Sequence, residues 1–154
     1  MSPAPLDQEA ERRLAVDCFN KTWTLMEKDA RSADEDDEMI HCAHASAYHW
    51  ARVGTAVNRA RGEWQCSRVY ALLGRGEPAL AHARRCLELV EANPGETEPW
   101  DLPAAYEALA RAHSVAGDPG EAARYVGLGR EALAAVEDED DRAHIAADLA
   151  SVKT

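Results

Sequence analysis

At 154 residues the chain is of single-domain size and can bury one continuous core. It is rich in alanine, sparse in β-branched residues and holds one phenylalanine, which argues against a sheet and for helices packed through small side chains. A formal charge of -11 would repel a phosphate backbone, so general nucleic-acid binding is disfavoured.

The opening MSPAPLDQEAERR has no apolar run of the signal-peptide kind, and no stretch is long enough to span a bilayer. The expectation is a soluble, cytoplasmic protein that does not engage a membrane. A first helix is expected from about Leu6 to Asp29, with Leu14, Cys18, Trp23, Leu25 and Met26 as its apolar positions. SADE follows, where Ser32 and Glu35 have capping-box spacing and open a second helix. A third helix runs from Arg61 to Leu73 and ends at Gly74 and Gly76; Pro78 stands near the start of a fourth. The segment ANPGETEPWDLP, 92–103, is the one evident linker. A fifth helix, AAYEALARAHSVA, ends at Gly117; Asp118, Pro119 and Glu121 open a sixth, and a last helix covers Asp140 to Val152.

The acidic runs DEDDE at 34–38 and EDEDD at 137–141 read as helix starts, where carboxylates meet free N–H groups. Cys18, Cys42, Cys66 and Cys86 are isolated within helical patterns, as small buried hydrophobes are in a reducing compartment.

Two hairpins resemble each other. WQCSRVYALLGRGEPALAHARRCLEL and YEALARAHSVAGDPGEAARYVGLGREAL share an aromatic-bearing helix, a glycine turn and an alanine-rich helix. Gly74 and Gly117 are 43 residues apart, as are Ala79 and Ala122. The better hairpin, 105–133, resembles the tetratricopeptide repeat (TPR) through Leu109, Ala110, Ala112, Gly117, Asp118, Glu121, Ala122, Tyr125 and Gly129. The earlier one matches through Tyr70, Gly74, Ala79, Cys86 and Leu87, and about half of the chain carries the resemblance. HASAYHW and RGEWQCSRVYALLG also resemble a bacterial family of helical proteins, a likeness that implies no activity. The TPR resemblance implies an all-α domain, 1–154, of about seven helices in antiparallel hairpins stacked as a right-handed superhelix. Its parts are an N-terminal hairpin (1–58), two repeat-like hairpins (59–91 and 101–136) and a C-terminal capping helix (137–154). A closed bundle is the alternative.

HCAHASAYHW, 41–50, has the look of a metal or catalytic box. At about 100° per residue, His41, His44, Tyr48 and Arg52 form a polar ridge, while Ile40, Ala43, Ala47, Ala51 and Gly54 form a small, apolar packing stripe. A metal-dependent enzyme would use Glu38, His41 and His44, with Asp141 and His144 repeating the carboxylate–histidine spacing. Such spacings arise easily beside acidic helix starts. Ser46 and Ser67 lack a nucleophile elbow, and the phosphate-cradling glycine motifs are absent.

The TPR resemblance implies that the exposed sides of the first helices line a concave groove. These positions carry Arg61, Trp64 and Arg68, then Glu107, Arg111 and Ser114, and His44 and Tyr48 are placed to extend them. Arginine forks suit carboxylates and phosphates, and an indole offers a flat face. The expectation is a non-enzymatic module, without cofactor, that binds an acidic peptide, a small anion or another subunit. Two alternatives remain: that Arg68 or Arg111 pairs internally with Glu107, or that the groove closes by forming a homodimer.

Overall fold

The computed structural model describes residues 4–154, and five of its seven helices start at a short polar side chain that bonds the first turn. Asp7 caps α1 (Gln8–Met26), and the reciprocal Ser32–Glu35 box opens α2 (Ala33–Val53). A second box, Thr55 with Asn58, opens α3 (Ala56–Leu72) five residues before the expected Arg61. The amide of Asn58 replaces the usual Glu or Gln, which hides this start in the sequence. α4 (Gly76–Ala92) and α5 (Asp101–Val115) begin without a side-chain cap. α5 takes Pro103 into its first turn, where a missing N–H costs nothing. Asp118 caps α6 (Pro119–Ala132), which tightens into a 3-10 turn, Leu133–Ala135; Asp138 caps α7 (Glu139–Ala150). There is no strand among the described residues, and no described helix is long and apolar enough to cross a membrane.

The helices pair in chain order, α1 with α2, α3 with α4 and α5 with α6, and each pair packs on the next through α2–α3 and α4–α5. α1 also touches α3, α3 touches α5 and α5 touches α7, whereas nothing comparable joins α2 to α4 or α4 to α6 among the described residues. The odd-numbered helices therefore lie closer together than the even-numbered ones. A stack built so curves toward its odd layer.

The two glycine turns close alike. Gly74 and Gly117 have φ of 73° and 85°, the left-handed conformation that favours glycine. After them Arg75 N–H bonds Tyr70 C=O at 2.9 Å, and Asp118 N–H bonds His113 C=O at 2.9 Å. Tyr70 stacks on His82 at 5.7 Å and 8°; His113, 43 residues on, stacks on Tyr125 at 5.5 Å and 8°. The two partners have exchanged residue types while keeping their places. Gly76 then lets the hairpins close up, since a Cβ there would lie 2.6 Å from the Cα of Ala116.

The buried stripe of α2 is Met39, Ala43 and Ser46, rotated from the expected one; Ala51 is exposed. Ser46 is drawn inward because its hydroxyl donates to the Ala15 carbonyl at 2.7 Å. Ala47 instead faces Gly62 of α3, close enough that a Cβ on the glycine would sit 3.3 Å from its backbone.

Candidate functional site

A cavity of about 330 Å³ opens within the odd-numbered layer. α1 supplies Phe19 and Trp23, α3 supplies Ala60, Arg61 and Trp64, and Val90 and Cys86 close it from α4. Trp100, Asp101 and Glu107 come from the start and middle of α5, and α7 covers one side with Asp141, His144, Ile145 and Asp148. The size falls near the lower end of the roughly 300–1,000 Å³ usual for small-molecule sites, and the walls are mainly apolar and aromatic.

Aromatic rings set its shape. Trp23 and Trp64 lie 5.6 Å apart at 32°, and Phe19 meets Trp23 edge-on at 6.5 Å. Trp100 also lines the cavity, with one face covered by the Arg61 guanidinium, 4.3 Å from the ring centre. The Arg68 guanidinium lies 5.9 Å from the centre of Trp64.

The charges are arranged in closed pairs. Arg61 is bidentate to Asp101, donating from Nε at 3.1 Å and Nη2 at 3.0 Å, and Asp101 also accepts the Glu98 N–H at 2.8 Å. Glu107, 1% exposed, accepts from both Arg68 (3.0 Å) and Arg111 (2.6 Å) on one oxygen. Arg111 reaches on to the Asp148 carbonyl at 3.0 Å and the Ser151 hydroxyl at 2.8 Å, and Arg68 lies 3.5 Å from the Asp148 carboxylate. This network ties α3, α5 and α7 together. Two buried atoms beside it, Trp64 Nε1 and the second oxygen of Glu107, have no hydrogen-bond partner among the described residues. The rim is acidic: exposed Asp141 follows the run 137–140 at the head of α7, and His144 sits 3.6 Å from Asp148.

Of the residues expected to form a groove, Arg61, Trp64 and Glu107 share the cavity wall, and Arg68 and Arg111 lie directly behind Glu107. His44 and Tyr48 lie elsewhere. His44 Nε2 is 2.8 Å from the Tyr70 hydroxyl and its ring meets His82, whose Nδ1 is 2.6 Å from Glu63. Desolvation, then the nearby His82, holds the His44 pKa below the ordinary imidazole value. Tyr48 is 59% exposed and lies under the Arg52 guanidinium, which is bonded to buried Glu11. Of the proposed metal ligands, Glu38 pairs with Lys21 at 3.3 Å and His41 points to solvent. Among the described residues no three histidine, cysteine or carboxylate groups are placed to hold one metal ion.

Ser46, Ser67, Cys66 and Cys86 are committed to the packed interior. Ser67 donates to the Ala79 carbonyl at 2.9 Å, and burial pushes the thiols of Cys66 and Cys86 up to about 12, so both stay protonated. Phe19, Trp23, Asp101, His144 and Asp148 were not expected at the site. They converge only once α1 and α7 are laid against α3 and α5, and no spacing within the chain announces that. No protein-family model matches the chain, and comparison with curated proteins gives no match either.

Proposed function

We propose that the protein is a non-enzymatic binding module of TPR-like build, whose concave cavity takes a small ligand with an apolar body and a cationic end. The repeat assignment is supported by the paired glycine turns and by the exchanged Tyr70–His82 and His113–Tyr125 stacks. The observation that carries the ligand reading is the three-tryptophan cavity of about 330 Å³ in the odd-numbered layer.

The sign of the ligand's charge follows from the pairs. Arg61 with Asp101, and Arg68 and Arg111 with Glu107 and Asp148, cancel internally, which leaves Asp141 and its acidic neighbours as the uncompensated charge at the mouth. An acidic peptide or free anion, as the arginines alone suggest, would have to displace buried carboxylates from their guanidiniums. Removing one partner of such a pair costs about 3–5 kcal/mol.

Three of the four tryptophans line the cavity, so their emission reports occupancy. Titration with 4-phenylbutylamine should shift that emission saturably, with affinity that weakens as salt rises, and 4-phenylbutyrate should bind far more weakly. Tighter binding of the carboxylate would restore the arginine–anion reading. No response to either would remove the cavity as a site.

A further inference from the structure

We propose that the cationic end of the ligand is a quaternary ammonium group, held against indole faces inside the cavity rather than by hydrogen bonds to its rim. The inference rests on the cationic-ligand reading above and specifies its chemistry.

A cation entering this cavity meets two kinds of wall. Inside the cavity the carboxylates already face donors: Asp101 holds Arg61 and the Glu98 amide, one oxygen of Glu107 holds two guanidiniums and Asp148 lies beside Arg68, which leaves the open carboxylate, Asp141, out at the exposed rim. The other Glu107 oxygen is buried away from contact. A primary ammonium has three donors to satisfy and would leave some bare against apolar surface, at the desolvation cost of unpaired donors. A trimethylated nitrogen has none. It needs only negative potential and polarizable surface.

The indoles offer both, since the negative face of the ring quadrupole attracts a cation within about 6 Å of the centroid. The protein already uses this attraction on the cavity wall, where Arg61 covers Trp100 at 4.3 Å. Trp23 and Trp64, tilted against each other at 5.6 Å, line the same cavity with Phe19 beside them. The acidic rim at Asp141 adds long-range attraction for any cation and does not discriminate between kinds. Discrimination therefore falls to the rings.

The experiment compares three ligands of one skeleton on the unmodified protein: 4-phenylbutylamine, its N,N,N-trimethyl derivative and the neutral 4-phenylbutanol. The trimethyl form should bind on the order of tenfold more tightly than the amine and the alcohol. Equal or tighter binding of the primary amine would overturn the quaternary-ammonium assignment and leave the cationic cavity standing. Equal binding of the alcohol would overturn both the assignment and the cationic reading. Failure of all three would remove the cavity as a site altogether. A second measurement uses protein grown with 5-fluoro- and 5,7-difluorotryptophan, checked for fold by circular dichroism. Fluorine weakens the ring quadrupole at nearly constant shape, so affinity for the trimethyl ligand should fall stepwise while that for the alcohol holds. An unchanged affinity across the fluorinated series would overturn the proposal.

Discussion

His44 shows how one side chain in HCAHASAYHW acts. It packs half-buried against Tyr70 and His82, with Glu63 beyond, and the cost of desolvating a charged imidazole outweighs the attraction of that carboxylate. Its folded pKa lies below the ordinary 6.5, so the unfolded chain binds its proton first as pH falls. His113 is depressed as well, mainly by burial. Both contributions are intact above pH 6.5 and drain away as pH drops through the folded values. The buried-pair carboxylate Glu11, which His49 and Arg52 hold below its ordinary 4.5, titrates lower and stays out of this window. Urea unfolding should therefore give a lower stability at pH 5.5 than at pH 7.5. The loss should shrink in His44→Phe and nearly vanish when His113→Phe is added. A pH response unchanged in the double variant would place its source in other groups.

At the scale of elements, the helix starts were legible where the cap is a familiar pair, as at Ser32–Glu35 and Asp118–Pro119. They were hidden at Thr55–Asn58 and at Trp100, where the cap is an uncommon amide or absent. The arginines and Trp64 could be placed on one surface because the repeat resemblance implies that the exposed sides of α3 and α5 share a groove. Their carboxylate partners could not, since Asp101 and Asp148 reach them from 40 and 80 residues away in the chain. Glycines in GLGR make the same distinction testable. Gly127 faces open space, so Gly127→Ala should raise stability by about 0.5–1 kcal/mol through lower backbone entropy in the unfolded chain. Gly129 is buried, and a Cβ there would lie 2.8 Å from Leu149, itself 1% exposed on α7. Gly129→Ala should cost about 1–3 kcal/mol by pushing α7 outward. Thermal melts of the two single variants should move in opposite directions; a shared direction would mean that α7 is not seated on α6 as described.

For the whole molecule the governing feature is that, among the described residues, each hairpin packs chiefly on its neighbours in the chain. Such an array transmits a local loss to adjacent layers and attenuates it with distance, whereas a closed bundle shares it throughout. The charge network over the cavity is the exception built into this stack, because Arg68 on α3 touches Asp148 on α7 across the intervening α5. Leu149→Ala removes a side chain that, with Ile145, seats α7 on Leu133 and Val136, at a cost of about 2–5 kcal/mol to that contact. Hydrogen exchange should then speed up strongly in α6 and α7. It should rise moderately in α3 and α5, through the loosened Arg68–Glu107–Arg111–Asp148 network, and change little in α1 and α2. Uniform acceleration in all seven helices would make the molecule one cooperative unit and would remove the basis for treating it as a stack. If protection is instead lost in layers, α7 is the element whose opening uncovers the tryptophan cavity while the first hairpin stays folded. Ligand binding to that cavity would then slow exchange in α7 first.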